Sequence, residues 1–496
     1  MGMIGLLLLG SSLVLAYSGY LFKPIRLFGA GLALIVCGMA NGLLFSEHQT
    51  IWGCISLWFG VLQLFNIARF VRSRLHTKHL KNAFVYGGLR LLGLQLLPLG
   101  IEGVVTRYIR DHQIFLFIFW LQVEVAILIL LVVLYRIHKT KAKTPDAFLS
   151  DSELPSISVL VPARNEDANL EELLRQIVAN DYPKMEVIVL DDCSVSSRIP
   201  EIVKGFAHDG VRFIQGEEIR DNWLAKNQAY DTLIQSSSGD YIICMGVDVR
   251  LGVRALRSLV QYTLNNKLSM VSVMPRRFEP SFWKGFFSPL RYMRELLRPG
   301  YRVGSEPTLS TMWVIQRNAY DSLGGMRAVA RKVLPEQYFA KQLAKQSKYA
   351  FVRSGGELTV ATAKVLREQM VTTVRVAYPS QHRKLEVMGL STLAMTLFML
   401  LPFVELVHSL IFGHTTLAIL SGVAVCALTI SHMVIIATTN SVPWPLAIVN
   451  LPYLVGQEVV LNIISMYRYE FGEVFWKGRN ICLPVMEVIP KLPKLE

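Results

Sequence analysis

Long apolar runs constrain this chain more than any other feature of its sequence. Each run is close to the roughly 20 residues that an α-helix needs to cross the hydrocarbon core of a bilayer. A hydrophobic fraction of 52% and a mean hydropathy of +0.38 also exceed what a soluble protein usually carries. The sequence therefore predicts two groups of membrane helices, from runs at 3–20, 27–45, 51–70, 84–106 and 114–136 and at 388–412, 415–438 and 443–465.

Basic residues in alternate loops predict the orientation, because cytoplasmic loops of membrane proteins carry an excess of Lys and Arg. The loop around Arg107 and Arg110 departs from this pattern. The N-terminus is predicted outside and residue 140 in the cytoplasm. The net charge of +14 then reflects loops and anionic headgroups, with no nucleic-acid partner. The cytoplasmic loops contain Lys23 and Arg26, then Arg72, Arg74, Lys78 and Lys81, then Arg136, Lys139, Lys141 and Lys143.

The last apolar run differs from the others because it contains Pro443, Pro445 and Pro452 together with Glu458 and Asn462. Such a run is unsuited to a simple lipid-facing span, so we predict a broken or re-entrant segment that keeps the tail cytoplasmic. The predicted organisation is a membrane region of about five helices at 1–139, a linker at 140–154, a soluble domain at 155–386, a second membrane region at 387–466 and a cytoplasmic tail at 467–496.

Between the two membrane regions, short apolar runs alternate with amphipathic helical patterns. This alternation predicts a mostly parallel sheet built from βαβ units. Ligands of such a sheet bind beyond the carboxyl ends of its strands. The predicted strands are 157–162, 186–191, 211–216 and 241–246, and the predicted helices are 168–180, 199–208 and 223–236.

One segment of this region, 281–298, interleaves aromatic residues with Lys and Arg. A basic, aromatic, amphipathic helix suits a membrane interface. The alternative is an ordinary helix that packs within the soluble domain.

Polar residues follow the first two predicted strands. Adjacent carboxylates at a strand end can accept hydrogen bonds from a base N–H and from ribose hydroxyls, and the alternative is that they cap the following helix. The segments "VPARNE" and "VLDDCS" contain the candidate nucleotide-binding residues Pro162, Ala163, Arg164, Glu166, Asp191 and Asp192.

Two further motifs predict how the phosphates are held. The segment "NWLAKNQA" opens a helix, and the N-terminal N–H groups of a helix together with Lys226 favour a diphosphate. The next strand leads to Asp248. A carboxylate beside a diphosphate suits a divalent cation, Mg²⁺ or Mn²⁺, because Mg²⁺ typically uses few protein carboxylates together with phosphate oxygens.

The order "VPARNE", "VLDDCS", "WLAKNQA", "GDYIICMGVD" resembles family 2 glycosyltransferases with the GT-A fold, a Rossmann-like and mostly parallel sheet. The resemblance extends over about 155–375. It implies a UDP- or GDP-linked sugar donor whose nucleoside contacts Asp191 and Asp192. It also aligns Asp248 with the second acid of the family's DxD element, which usually holds the metal.

Two positions depart from the family pattern. Gly246 replaces the first acid of the DxD element. The family's "ED" pair is altered to "VLPEQYFAKQLA", where the resemblance places Glu336 at the position of the general base. The alternative for Glu336 is an ordinary acid in the first turn of a helix. The loop with Gly325 corresponds to the family's acceptor side.

The family's "QxxRW" element is missing, whereas "VRVAYP" and "FWKGRN" resemble the subgroup that glycosylates carotenoid and other isoprenoid lipids. In these segments Arg375, Lys477 and Arg479 would neutralise the leaving diphosphate, and Trp476 is a further candidate for substrate binding. The sequence thus predicts an inverting transferase that moves a sugar to a hydroxyl or carboxyl group of a membrane lipid. A processive polysaccharide synthase and a non-catalytic, glycosyltransferase-like subunit remain as alternatives.

Overall fold

The structure is a computed structural model, and it describes the central region and the C-terminal helices almost completely. The predicted apolar runs at 51–70 and 84–106 lie outside the described residues, as do residues 143–147 of the linker and the tail beyond 482. The described residues are parts of 4–15, then 26–46, 113–142, 148–195, 198–278, 286–298, 306–440, 447–470 and 474–482.

Ten strands lie in the central region and two in the C-terminal segment. They are β1 (Ile157–Ala163), β2 (Met185–Asp191), β3 (Val211–Gln215), β4 (Tyr241–Met245), β5 (Val249–Leu251), β6 (Met270–Met274), β7 (Arg276–Arg277), β8 (Met312–Gln316), β9 (Tyr349–Arg353), β10 (Val360–Thr362), β11 (Phe475–Trp476) and β12 (Arg479–Asn480).

Along the chain, the described α-helices lie before, between and after these strands. They are α1 (Arg26–Ser46), α2 (Gln113–Lys139), α3 (Asp167–Val178), α4 (Arg198–Gly205), α5 (Ala225–Gln235), α6 (Ala255–Asn265), α7 (Arg291–Leu296), α8 (Arg317–Ser322), α9 (Pro335–Lys345), α10 (Leu366–Ser380), α11 (Leu385–Met395), α12 (Leu401–Ile411), α13 (Thr415–Thr439) and α14 (Ala447–Glu470).

The central sheet has seven strands in the order β3-β2-β1-β4-β8-β6-β9. Neighbouring strands are parallel except at β8, which is antiparallel to both β4 and β6. The predicted mostly parallel, GT-A-like sheet is therefore confirmed. The four predicted strands and three predicted helices are also present, with boundaries that differ by at most three residues.

Both faces of the sheet are buried, which is why its strands read as continuous apolar runs. Along β1, Val159 and Val161 pack into the cluster that contains the buried leucines of α3. Leu160 points the other way and packs into the cluster that contains Trp313 and Phe339. Successive side chains of a strand alternate between faces, so one strand supplies both hydrophobic layers.

A small three-stranded sheet, β5-β10-β7, lies next to the main sheet. In it β10 pairs antiparallel with β5 and parallel with β7. This pairing brings Thr362, at the end of β10, beside Val249, one residue after Asp248. The small sheet therefore connects the end of β4 to a part of the chain more than 100 residues away.

Three of the described helical stretches are long and apolar enough to cross a membrane: Leu116–Lys139, Leu385–Ile411 and Thr415–Thr439. Within the second stretch, a π-helical turn at Thr396–Leu400 precedes Pro402. Proline lacks a backbone N–H and disturbs the helical hydrogen bonds before it. Gln122 of α2 donates from Nε2 to the carbonyl of Leu397 at 2.9 Å, which satisfies a carbonyl within this irregular turn.

Helix α14 exposes apolar side chains and buries polar ones, which is the reverse of a helix in a soluble protein. Its exposed face carries Val449, Tyr453, Val460, Ile463 and Tyr467, whereas its buried face carries polar side chains. An apolar outer face is typical of a helix in contact with lipid, whose polar residues face the protein interior. The buried polar residues are Asn450, Glu458, Asn462 and Ser465.

Helix α14 is not among the long apolar helices of the described residues. It packs along α10 of the central region, where the Ser465 hydroxyl donates to the carbonyl of Val374 at 2.5 Å. The hairpin β11–β12 then returns to the carboxyl end of the central sheet, where Arg479 meets Asp192. The re-entrant segment that the sequence predicts stays a prediction.

The segment 286–298 contains a helix only at α7, so most of the predicted amphipathic helix is either non-helical or outside the described residues. Its cations are engaged by acids. Arg294 pairs with Glu458 of α14 at 2.7 Å, and Arg298 pairs with Glu295 at 2.6 Å. The segment therefore packs where the central domain meets α2, α13 and α14.

Candidate active site

The acidic ends of β1 and β2 lie side by side. Ala163 and Asp191 are paired across the two strands, and the Asp192 N–H donates to the carbonyl of Ala163 at 2.8 Å. Both carboxylates are buried. Asp191 accepts a hydrogen bond from the Ser194 N–H at 3.1 Å, whereas Asp192 pairs with the Arg479 guanidinium at 2.7 Å. The parallel register thus assembles the predicted nucleoside-binding acids at one edge, with Pro162 one residue before Ala163.

Arg164 holds the loop after β2 through hydrogen bonds to backbone carbonyls. Its Nη1 donates to the carbonyls of Asp192 at 2.5 Å and Cys193 at 2.8 Å, and its Nε donates to the carbonyl of Lys477 at 3.2 Å. The guanidinium is therefore occupied with backbone carbonyls. It fixes the loop after β2 against the C-terminal hairpin.

The hairpin β11–β12 covers the carboxyl end of the sheet. It turns at Lys477 and Gly478, both with positive φ, a conformation that glycine adopts without strain. Lys477 forms an ion pair with Glu166 and also donates to the carbonyl of Arg164 at 3.1 Å. Burial raises the pKa of Glu166, and the charge of Lys477 opposes this rise. The "FWKGRN" segment thus contacts "VPARNE" although more than 300 residues separate them.

A cationic cavity of about 540 Å³ lies beneath this hairpin. Four of the residues singled out in the sequence line it: Lys226, Arg375, Trp476 and Arg479. The Arg375 guanidinium carbon lies 5.0 Å from the centre of the Trp476 ring. Burial lowers the pKa of Lys226, while the nearby Glu336 opposes this shift. Cations concentrated beside the first turn of α5 favour a diphosphate.

Asp248 lines a second cavity, which has a volume of about 400 Å³. The Thr362 hydroxyl donates to its Oδ2 at 2.8 Å, and the Lys364 ammonium is 3.6 Å from the same oxygen. Burial alone would raise the pKa of Asp248, but Lys364 and the Thr362 hydrogen bond outweigh it, so that pKa lies below its usual value. Asp248 is therefore ionised at neutral pH.

Gly246, the departure from the family's acidic pair, has a steric reason in this structure. A Cβ atom at this position would lie 2.6 Å from Oδ1 of Asp248. Such a contact is far inside van der Waals distance, so Asp248 would have to move. The absence of a side chain at position 246 thus allows the Asp248 carboxylate to fold back over the turn between β4 and β5.

Glu336 lies in the first turn of α9 and is only 1% exposed. Neither of its carboxylate oxygens has a hydrogen-bond partner among the described residues. Burial lowers the pKa of Lys226 and of Arg375, and Glu336 lies close enough to both groups for its charge to oppose this lowering. Buried polar atoms are nearly always hydrogen-bonded in proteins, so an unpartnered carboxylate here marks a position where a ligand group would bind.

Gly325 occupies a tight turn, with φ of +57°. An added Cβ would lie 3.0 Å from the Tyr320 hydroxyl oxygen, which accepts a hydrogen bond from the Met326 N–H at 2.7 Å. The segment that follows packs on α5, where Asn227 donates to the Val329 carbonyl at 2.8 Å. The turn at Gly325 therefore positions the segment that packs on α5. Contact of this loop with an acceptor stays a prediction.

Sequence reasoning missed the two immediate partners of Asp248. Thr362 ends a three-residue strand, and Lys364 lies two residues after it; this strand has no signal of its own in the sequence. It also treated Lys477 only as a cation for the diphosphate, whereas the structure pairs Lys477 with Glu166. Such pairs depend on contacts between distant segments, which no local pattern encodes.

A mostly parallel sheet with acids at the carboxyl ends of its strands and a cation-lined cavity beside them is the arrangement of a GT-A-type domain. Residues 158–332 match the family model described as glycosyl transferase family 2. The central domain is therefore similar to this family over these residues, and the resemblance inferred from the four motifs is confirmed.

Curated relatives are similar over part of their length. The chain is 25% identical over 186 residues to a poly-beta-1,6-N-acetyl-D-glucosamine synthase of Staphylococcus aureus, a match that covers 37% of this chain and 43% of that protein. It is 26% identical over 153 residues to a 4,4'-diaponeurosporenoate glycosyltransferase of the same species, covering 30% and 38%. The matches thus span less than half the length of these relatives.

Among solved structures, the chain is similar to the mannosyltransferase PcManGT from Pyrobaculum calidifontis in complex with GDP-Man and Mn²⁺. The identity is 18% and the TM-score is 0.43, over 71% of this chain and 97% of that one.

Proposed function

We propose that this chain is an inverting, membrane-embedded glycosyltransferase that moves a sugar from a nucleotide-sugar donor to a hydroxyl or carboxyl group of a membrane lipid. The observation that carries the proposal is the Glu336 carboxylate, which is buried without a hydrogen-bond partner in the described structure and lies near Lys226. A carboxylate in this state, beside a cationic cavity, is suited to take a proton from an acceptor hydroxyl.

The donor would lie across the carboxyl edge of the sheet. Asp191 and Asp192 are positioned to accept hydrogen bonds from the nucleoside, and the diphosphate would enter the cavity lined by Lys226, Arg375 and Arg479. Arg479 already contacts Asp192. Binding of a UDP- or GDP-linked sugar would therefore involve rearranging at least one existing ion pair.

We propose Asp248 as the protein ligand of a divalent cation that is shared with the diphosphate. Arg277, Arg291 and Lys364 line the same cavity and Asp248 pairs with Lys364, so a bound cation would have to displace this ion pair. No group of three or more His, Cys, Asp or Glu side chains suited to a metal occurs in the part of the chain that the structure describes. Mg²⁺ commonly uses one or two carboxylates and completes its shell with phosphate oxygens and water, so a single ionised Asp248 suffices. A bound cation would supply charge neutralisation of the diphosphate.

The chemistry assigned to the protein's own groups is a single displacement. The acceptor oxygen forms a bond to the anomeric carbon while the bond from that carbon to the diphosphate oxygen breaks. The electron pair leaves with the nucleoside diphosphate, whose charge Lys226 and Arg375 stabilise. For a hydroxyl acceptor, the proton moves to Glu336.

The membrane location supports a lipid acceptor. Long apolar helices flank the domain, and α14 presents an apolar face outward. The relative named as a 4,4'-diaponeurosporenoate glycosyltransferase favours the same acceptor class. We further propose that the chain crosses the membrane several times and that its catalytic domain is cytoplasmic, from the distribution of basic loops.

A processive polysaccharide synthase is the second candidate, because the first of these relatives is named as a synthase of poly-beta-1,6-N-acetyl-D-glucosamine. The two candidates differ in product. A lipid glycosyltransferase yields a glycolipid with one added sugar, whereas a synthase yields a long polymer.

The experiment is a screen of radiolabelled UDP- and GDP-linked sugars with purified protein and extracted membrane lipids. We expect one donor to give an organic-soluble, labelled product of low mass, and Glu336→Gln to give almost none. Labelled polymer would support the second candidate. No transfer from any donor, with intact nucleotide binding, would support a non-catalytic subunit.

A further inference from the structure

A third cavity adjoins the Asp248 cavity where the membrane helices meet the central domain. It contains about 320 Å³ of space between atoms, part of which is open to solvent. Its walls are β7 and residues 288–293 on one side, and the last two turns of α13 with the first turns of α14 on the other. It is therefore bounded partly by a candidate membrane span.

The lining of this cavity combines a cation with apolar side chains. Among the described residues that line it, Arg277 is the one basic side chain other than His432, and none is acidic. The walls contributed by α13 and α14 include Ile435, Ile436 and Leu454. A pocket with a cation at one end and apolar walls matches an amphiphile with an anionic head.

Two polar side chains in the cavity are buried: His432 is 4% exposed and Asn450 is 1% exposed. Asn450 donates from Nδ2 to the carbonyl of Phe286 at 3.2 Å, whereas its Oδ1 and both ring nitrogens of His432 are left without a hydrogen-bond partner of good geometry among the described residues. Leaving buried polar atoms unsatisfied is unfavourable, so a ligand head with hydrogen-bonding oxygens and bound water would stabilise this arrangement.

Arg277 links the two cavities, because it and Tyr292 line both of them. Its guanidinium carbon lies 4.3 Å from the centre of the Tyr292 ring, and its Nη1 donates to the carbonyl of Pro289 at 2.9 Å. These contacts fix the cation in the shared wall. A head group bound to Arg277 would thus lie next to the cavity that contains Asp248.

The outer surface of α14 indicates where such a ligand comes from. Val449 and Tyr453 are exposed on α14, next to the cavity residues Asn450 and Leu454. An exposed apolar helix face beside a polar cavity is typical of contact with lipid. A ligand with an apolar tail in the bilayer can therefore place its head in this cavity.

We propose that this cavity binds the anionic oxygen head, a carboxylate or a phosphate, of a membrane amphiphile that serves as the acceptor lipid. The acceptor role rests on the proposed function. The binding of an anionic amphiphile at Arg277, His432 and Asn450 does not depend on it.

The test is photolabelling of the full-length protein in nanodiscs with a palmitic acid that carries a diazirine on its chain. Labelled peptides are mapped by mass spectrometry. We expect labelling of the segments around 432–440 and 449–454, and competition by palmitate and hexadecyl phosphate. Hexadecanol, which lacks the charge, should compete at least tenfold less well. Acetate and inorganic phosphate, which lack the tail, should not compete.

Variants locate the head group. Arg277→Gln should reduce labelling on the order of tenfold, because a charge-assisted hydrogen bond is lost. The matched control is Arg276→Gln, which removes the same charge from the exposed neighbouring residue and should label like the wild type. His432→Leu keeps a side chain of similar size and should also reduce labelling. If Arg277→Gln fails to fold, the labelling of His432→Leu tests the location of the head group by itself. Nucleotide binding by His432→Leu verifies that this variant is folded.

Equal competition by hexadecanol and palmitate would overturn the anionic specificity. Competition by inorganic phosphate as strong as that by hexadecyl phosphate would assign the site to a soluble anion and overturn the lipid source. Full labelling of both Arg277→Gln and His432→Leu would overturn the location. Specific labelling without any sugar transfer would instead leave the binding site standing and reject the proposed function.

Discussion

At the scale of single residues, Glu336 is distinguished by a carboxylate without a hydrogen-bond partner among the described residues. Its carboxylate is buried, hydrogen-bonded to nothing in the described chain, and close to Lys226. An acid in an ordinary first helical turn would be solvated or would cap backbone N–H groups. The buried and unpartnered state therefore favours the general-base interpretation over the ordinary one.

Glu336→Gln should lower turnover by roughly 10²–10⁴-fold, which is typical for removal of a general base. Nucleotide affinity should change little, because the base contacts the acceptor hydroxyl. The measurements are initial rates with a hydroxyl acceptor and a nucleotide Kd. Glu357→Gln, in the partly exposed turn at 355–358, is the control and should be near neutral. Near-normal turnover of Glu336→Gln would reject its role as the base.

Asp248→Asn should abolish transfer and weaken divalent-dependent binding of the nucleoside diphosphate. The change removes the charge that faces Lys364 and Thr362 while keeping the shape of the side chain. Nucleotide titrations with and without Mg²⁺ or Mn²⁺ measure the effect. The exposed Asp209→Asn serves as the control. Retention of both metal dependence and activity would show that Asp248 is not the ligand.

Gly246→Asp, which restores the family's first acid, should reduce activity. Its Cβ would lie 2.6 Å from Oδ1 of Asp248 and displace that carboxylate. Gly246→Ala introduces the same Cβ without a charge, so both variants should lose activity if the effect is steric. Assays of transfer at saturating metal distinguish the outcomes. A gain of activity in Gly246→Asp would mean that the site tolerates, and lacks, a second acid.

At the scale of secondary-structure elements, the hairpin β11–β12 is the element that covers the proposed donor site. Lys477 and Arg479 pair with Glu166 and Asp192, which belong to the ends of β1 and β2. Trp476 and Arg479 also line the cationic cavity. One two-stranded element therefore contacts both the nucleoside edge and the diphosphate cavity.

Arg479→Gln should weaken nucleotide diphosphate binding on the order of tenfold, because a charge-assisted contact in a partly buried site is removed. Isothermal titration with UDP and GDP measures the change. Arg468→Gln, on the exposed side of the preceding helix, is the matched loss of a positive charge and should have little effect. Unchanged affinity in Arg479→Gln would show that the hairpin covers the site without binding the donor.

At the scale of the whole molecule, topology follows from the loops and from the path of the C-terminal segment. Helices α12 and α13 are joined at residues 412–414, between two candidate membrane spans. Helix α14 and the hairpin β11–β12 return to the central domain. These paths predict a cytoplasmic domain, an outside loop at 413, and a C-terminus on the side of the domain.

Reporter fusions test this topology. A reporter at residue 145 or after residue 482 should be active only as a cytoplasmic reporter, because basic loops remain inside. A reporter inserted at residue 413 should be active only outside and is the internal control. Outside activity at 145 would reverse the orientation, and outside activity after 482 would show that α14 crosses the membrane.

Local patterns were sufficient for much of the fold. Strand and helix periods predicted β1 to β4 and the helices between them, because side-chain burial in each element repeats with the element's own geometry. The motif order also placed Asp191, Asp192 and Asp248 near strand ends, since parallel strands end at one edge. These features depend on a few neighbouring residues, and the sequence alone determined them.

Other features required the folded chain. The partners of Asp248 come from the end of β10 and the residues just after it, and the hairpin that meets Glu166 and Asp192 lies about 300 residues downstream of them. The buried polar face of α14 also depends on which helices pack against it. Local sequence determined the elements because their hydrogen bonds are local. Only the tertiary structure decided which charges meet, because contacts between distant segments depend on the packing of the whole chain.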